Sequence, residues 1–124
     1  MIKFIQCIRR KPDMSIQEFR HHWIAYQKAA TELARAVGAA GLTFSTTLAV
    51  EENLQLRLIR GTSEPYDGIT EFRISSAPRM LEKLEQEPAQ TLWRDFQKLQ
   101  SDFVDLASSS FFFATEDVAL GSTR

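Results

Sequence analysis

Apolar and polar positions change rhythm several times along this chain, and each rhythm predicts an element. Residues 2 to 10 set Ile2, Phe4, Gln6 and Ile8 on one side against Lys3, Ile5, Cys7 and Arg9 on the other, up to the turn Lys11-Pro12-Asp13. That alternation is a strand with apolar residues on both sides. Ser15-Ile16-Gln17-Glu18 then has capping-box spacing, so a helix is expected from Ile16. Its apolar positions, Ile16, Phe19, Trp23, Tyr26, Ala30, Leu33, Ala34 and Val37, follow the 3-4 spacing of one buried stripe, and Gly38 and Gly41 offer a stop.

Residues 42 to 50, rich in Thr, Leu, Phe and Val, read as a second strand, after which Glu51-Glu52-Asn53 turns the chain. Leu54, Leu56 and Leu58 alternate with Gln55 and Arg57, so a short ribbon is expected there. Turn formers fill Gly61 to Gly68, and Ile69 to Ser75 alternates as a third strand. Ser76 can cap a second helical region, with Pro78 in its first turn and Met80, Leu81 and Leu84 on its buried side. Glu87-Pro88 should break it. A further helical piece runs through Leu92, Trp93, Phe96 and Leu99 to about Asp102, and Ser108-Ser109-Ser110 precedes a last strand, Phe111 to Leu120. The expected order is β-α-β-β-α-β, the split βαβ arrangement: α+β, a four-stranded antiparallel sheet with its helices on one face.

Such a sheet leaves its other face uncovered. Successive strand residues point to opposite sides, so Phe111-Phe112-Phe113 should place rings on both, as should Ile2 and Phe4 with Ile5 and Cys7. Burying a Phe is worth roughly 1.5–3 kcal/mol, and a second copy packed sheet to sheet is the simplest cover. The alternative is a monomer whose 54–60 ribbon folds back over the sheet.

Composition narrows the partners. The chain has 124 residues, enough for one domain, and 15 Lys and Arg against 16 Asp and Glu give a net charge of -1. No basic field is present to hold nucleic acid. The longest apolar stretch, Ala36 to Leu42, is far short of the roughly 18 residues a membrane span needs. The opening Met1 to Ile8 is interrupted by Lys3 and Gln6, unlike a secretory signal, and a cytoplasmic location is expected. One cysteine, Cys7, excludes an intrachain disulfide.

Several local patterns together resemble the EthD family (ethyl tert-butyl ether degradation). Arg9-Arg10-Lys11-Pro12 before Ser15-x-x-Glu18-Phe19-x-x-x-Trp23 looks like its opening. Tyr66-Asp67-Gly68-Ile69-x-Glu71-Phe72 resembles its third-strand motif, and Phe103-Val104-Asp105 with Ser110-Phe111-Phe112-Phe113-x-x-Glu116-Asp117-Val118 its C-terminal signature. One domain is expected over 1–120, with 121–124 a loose tail, and the resemblance implies that it is ferredoxin-like, in a dimeric α/β barrel with a small-molecule cavity between sheet and helices. Reactions in the wider superfamily are diverse, so fold transfers better than chemistry. Many EthD proteins have a His-Gly-Pro-like segment four residues after the helix Trp, where this chain has Gln27-Lys28-Ala29. Gln cannot accept a proton near neutral pH, so any chemistry resting on that His is altered or absent here.

The candidate chemistry is sparse. On the first helix His22 sits near the edge of the buried stripe and His21 points away, so His22 is the histidine that can face a cavity and move a proton; the plainer alternative is a packed boundary residue. Glu18 and His22 share a face at i, i+4, but Glu18 is accounted for by the capping box and no third ligand is apparent, so no metal is expected. His22 is also the sole reasonable haem donor, and no cofactor is expected. Trp23 and Tyr26 could wall a ligand site in which Gln27 bonds a carbonyl, or be plain core. In the third-strand motif, Glu71 is a candidate base and Arg73 a candidate anchor for an enolate or carboxylate, with Tyr66 and Asp67 beside them. The alternatives are an ion pair of Glu71 with Arg73, and a turn held by Asp67. Cys7 reads as a small hydrophobe.

Three functions remain open. The first is an EthD-like homodimer that binds a small hydrophobic, oxygenated metabolite, with cofactor-independent isomerase, dehydratase or lyase chemistry by Glu71 or His22. The second is a non-catalytic accessory or ligand carrier for a catabolic oxygenase system, and the third a protein-interaction module using residues 54–65 as an arm.

Overall fold

In the computed structural model, which describes residues 1–121, the chain forms β1 (Ile2–Ile8), α1 (Ile16–Ala36), β2 (Gly41–Thr46), α2 (Glu51–Arg60), β3 (Gly68–Ile74), α3 (Ala77–Leu84), α4 (Ala89–Phe103) and β4 (Ser110–Thr115), with a 3-10 turn at Leu106–Ser108. Of the expected tail 121–124, residues 122–124 lie outside the described residues. The strands form one antiparallel sheet in the order β2-β3-β1-β4, with the two middle strands supplied by the first and third β segments of the sequence. This is the ferredoxin-like α+β arrangement.

The capping box forms as the sequence specifies: Ser15 Oγ accepts from Glu18 N–H at 3.0 Å and Glu18 Oε1 accepts from Ser15 N–H at 3.2 Å. From that start α1 buries Phe19, Trp23, Tyr26, Ala30, Leu33 and Ala34. It packs along α4, which contributes Phe96 and Phe103, over Phe4 and Ile8 of β1 and Phe72 and Ile74 of β3. Gly68, at the start of β3, lets the Trp23 ring approach the sheet; a Cβ at this position would lie 2.6 Å from Trp23 Cη2.

Three expectations need correction. The 54–60 stretch is helical, part of α2, and does not form a ribbon over the sheet. Leu, Gln and Arg are straight-chain helix formers; Glu51 and Glu52 occupy the first turn, Arg57 and Arg60 the last, and Gly61 closes the helix at φ 67°. The end-to-end charge order and the i, i+4 pair Leu54/Leu58 outweigh the three-Leu alternation. The second and fourth strands are also shorter than expected, ending at Thr46 and Thr115.

The third correction concerns the open face, although the phenylalanines do place rings on both sides of the sheet as expected. Phe113 is paired with Phe4 and stacks on its ring at 4.9 Å, so Phe113 and Phe111 face the helix side, and Phe112 faces the open side with Ile5. The open face is less uniformly apolar than the rhythm suggested. Ile5, Cys7, Ile69, Phe112 and Ala114 share it with four charged residues, in which Lys3 Nζ reaches Glu71 and Glu116 at 3.0 Å each and Arg73 reaches Glu116 at 3.1 Å.

Candidate functional site

A recess with an apolar wall, a cavity of about 220 Å3, lies at one end of α1. Five segments build it: Arg10 in the β1–α1 connection, the first turns of α1 (Ile16, Phe19, Arg20), residues 46–49 at the end of β2 and beyond, the side of α2 bearing Asn53, Leu54 and Arg57, and the approach to β3 from Glu64 to Asp67. Hydrogen bonds fix the loops. Thr47 Oγ1 donates to the Tyr66 carbonyl, Thr47 N–H to the Asp67 carbonyl at 3.1 Å, and Asp67 N–H to the Ile8 carbonyl at 2.8 Å. Asn53 Nδ2 donates to the Leu48 carbonyl at 2.8 Å, tying α2 to the loop before it.

Two ion pairs lie in the wall. Asp67 accepts from the Arg10 guanidinium and, at 2.8 Å, from the Arg10 N–H, while Arg10 Nε donates to the Met14 carbonyl at 2.8 Å. Asp67 thereby clamps the β1–α1 turn to the start of β3. Arg57 pairs with Glu64 at 3.1 Å. Arg9 lies over the Tyr66 ring at 4.4 Å, holding the ring from the outside. Trp23 Nε1 donates to Thr46 Oγ1 at 3.0 Å, which connects the core to the cavity rim.

Of the residues singled out in the sequence, Tyr66 and Asp67 line this cavity; His22, Trp23, Tyr26, Gln27, Glu71 and Arg73 do not. Trp23 and Tyr26 are core, their rings stacked at 4.7 Å. Tyr26 OH also lies 2.7 Å from both Gln6 Oε1 and Thr70 Oγ1, and Gln100 Nε2 donates to Gln6 Oε1 at 2.9 Å. This buried polar cluster ties α1, β1, β3 and α4 together, and burial pushes the Tyr26 phenol well above its usual range. The space between sheet and helices where the family resemblance implied a ligand is thus packed with aromatic rings around hydrogen-bonded polar groups. Gln27 is half-buried on α1.

His22 stacks on Phe103 at 5.5 Å on the helix side, whereas Glu71 and Arg73 lie on the open face, so the two expected proton-transfer residues are on opposite sides of the sheet. Glu71 and Arg73 do not pair with each other: Lys3 bonds Glu71, and Arg73 bonds Glu116. Within this cluster the Lys3 ammonium holds the Glu116 carboxyl below the usual carboxylate range, and the two carboxylates raise Lys3. Cys7, also on that face, has its thiol pushed up by burial and by the Glu71 charge, which disfavours the reactive thiolate. Among the described residues no three His, Cys, Asp or Glu side chains gather as a metal site, and no helix is long and apolar enough to cross a membrane.

Arg10, Arg20, Thr47, Leu48, Leu54 and Arg57 also line the cavity but were not anticipated: Arg20 lies on the expected first helix but off its buried stripe, and the others project from segments read as strand or ribbon. The helical order of charges in 51–60 was the available signal for α2.

No protein-family model matches this sequence, and no curated protein does. Solved structures do. The chain is similar to HapK from Hahella chejuensis (10% identity, TM-score 0.63, covering 100% of this chain and 99% of that one). It is also similar to a dimeric protein of unknown function and ferredoxin-like fold from Bacteroides fragilis (8%, TM-score 0.62, covering 91% and 93%). An ethyl tert-butyl ether degradation (EthD) family protein from Bacillus halodurans matches at 15% identity and TM-score 0.58, covering 94% of this chain and 99% of that one. The fold of this chain is therefore the ferredoxin-like α+β fold, shared along nearly its whole length with an EthD family protein.

Proposed function

We propose that this protein is a small-molecule-binding homodimer whose ligand, a small hydrophobic, oxygenated metabolite, sits in the cavity between α1, α2 and the Glu64–Asp67 segment. The observation that carries the reading is the mixed lining of that cavity: Ile16, Phe19, Leu48 and Leu54 supply an apolar wall, and Arg20, Thr46 and Tyr66 supply a few polar groups. At about 220 Å3 it is below the roughly 300–1,000 Å3 of drug-sized clefts, which favours a compact ligand.

Binding fits better than catalysis. A general base must be free to take a proton, and Asp67 is already held by two donors from Arg10. His22 and Glu71 do not reach the cavity. The non-catalytic role, a carrier or accessory protein for a catabolic oxygenase system, is accordingly the reading we favour over an isomerase, dehydratase or lyase. The dimer is supported by the partly apolar open face and by the dimeric state of the Bacteroides fragilis neighbour. A cytoplasmic protein is consistent with its single, unpaired cysteine.

Titration of the full-length protein with 2-heptanone, hexanamide and hexanoate, followed by two-dimensional amide NMR, tests the binding site. Saturable shifts are expected at residues 16–20, 46–54 and 64–67 for at least one probe. Ala49→Phe, which fills the cavity from an exposed position that makes no side-chain hydrogen bond, should remove them. Shifts confined to other surfaces, or binding unchanged in Ala49→Phe, would overturn the assignment.

A further inference from the structure

Resting on the binding reading above, we infer that the oxygen function of the ligand is a carboxylate: the cavity is built for a small monoanion with an apolar body. The charges in the wall carry this. Three arginines line the cavity, Arg10, Arg20 and Arg57, against two acidic residues, Glu64 and Asp67. Arg10 is neutralised by Asp67 and Arg57 by Glu64. Arg20 has no ion pair among the described residues, so the site holds one uncompensated positive charge.

Arg20 stands on α1 one position after Phe19, whose side chain enters the core, and it lines the cavity together with the apolar Ile16, Phe19, Leu48 and Leu54. A planar guanidinium matches a carboxylate through two parallel N–H···O bonds. A further donor is at hand. Thr46 Oγ1 already accepts from Trp23 Nε1, so its own proton is free for an acceptor in the cavity. A dianion such as phosphate fits less well, because one uncompensated charge and a wall containing Ile16, Phe19, Leu48 and Leu54 leave its second charge and its remaining oxygens without partners.

The test compares hexanoate with hexanamide, which have similar shape and differ in charge, in the wild-type chain, Arg20→Gln and Arg20→Lys. Hexanoate should bind at least about tenfold more tightly than hexanamide, equivalent to about 1.4 kcal/mol. Arg20→Gln should bring the acid close to the amide's affinity, with the acid losing far more than the amide, and Arg20→Lys should recover part of the difference. Arg20 is exposed and caps no element, so these variants keep the fold, which their amide spectra verify. Equal affinity for acid and amide in the wild type, or indifference of the acid to Arg20→Gln, overturns the carboxylate assignment and leaves cavity binding standing. Failure of acid, amide and ketone alike removes both.

Discussion

Gly68 and Trp23 show how a single contact positions the site. The Trp23 indole lies against the sheet where Gly68 has no side chain, and its Nε1–H holds the Thr46 hydroxyl at the cavity rim. A methyl group at residue 68 would meet the ring at 2.6 Å, inside van der Waals contact, and the ring is itself packed between Phe19 and Tyr26. Backbone conformation is not the obstacle here; space is. Gly68→Ala should therefore destabilise the protein by about 1–3 kcal/mol, the usual cost of forcing extra volume into a packed core. Urea unfolding measures this directly, and an unchanged midpoint would mean that the indole has room to retreat. The sequence placed Trp23 on the buried stripe and Gly68 in the third-strand motif, but nothing in either pattern linked the two, since their contact depends on how α1 crosses the sheet.

Among the elements, α2 differs from the other helices in burying no residue at all. Leu56 and Ile59 are 61% and 79% exposed, and the helix is held by the Asn53–Leu48 bond, the exposed Arg57–Glu64 pair and its Gly61 cap. Exposed pairs of this kind contribute roughly 0–1 kcal/mol. Local opening of α2 should thus cost far less than opening of α1, whose stripe fills the core. Amide hydrogen exchange is expected to show α2 at least about a hundredfold less protected than the middle of α1; equal protection would require a covering that the isolated chain does not provide. The same contrast explains what was legible beforehand. Burial imposes a period, so α1 could be read to its first residue from Ser15 and Glu18. An unburied helix carries no such period, and its three alternating leucines imitated a strand.

For the whole molecule, the question is what covers the open face of the sheet. Strand order and the one-sided helix layer followed from the element sequence, but which phenylalanine faces which side depends on register, and a shift of one residue exchanges the faces. The register Ile5↔Phe112 and Phe4↔Phe113 puts one β4 ring on the open face, beside an ion cluster that presents both signs of charge. A face carrying Lys3 and Arg73 together with Glu71 and Glu116 can meet its own copy about a two-fold axis without placing like charges opposite one another throughout. Phe112 is 40% exposed, so covering the rest of the ring is worth about two fifths of roughly 1.5–3 kcal/mol per copy, or roughly 1–2.5 kcal/mol for two copies. Phe112→Asp forfeits that and adds the cost of desolvating a carboxylate, so the proposed dimer should weaken by at least about tenfold while the monomer stays folded. Phe113→Asp is the contrasting variant: its ring stacks on Phe4 at 4.9 Å on the helix side, and the substitution should lower the thermal midpoint of the fold itself. Sedimentation equilibrium across a dilution series reads the first effect, and thermal unfolding followed by circular dichroism reads the second. If Phe112→Asp leaves the dimer constant unchanged, two copies do not meet through this face.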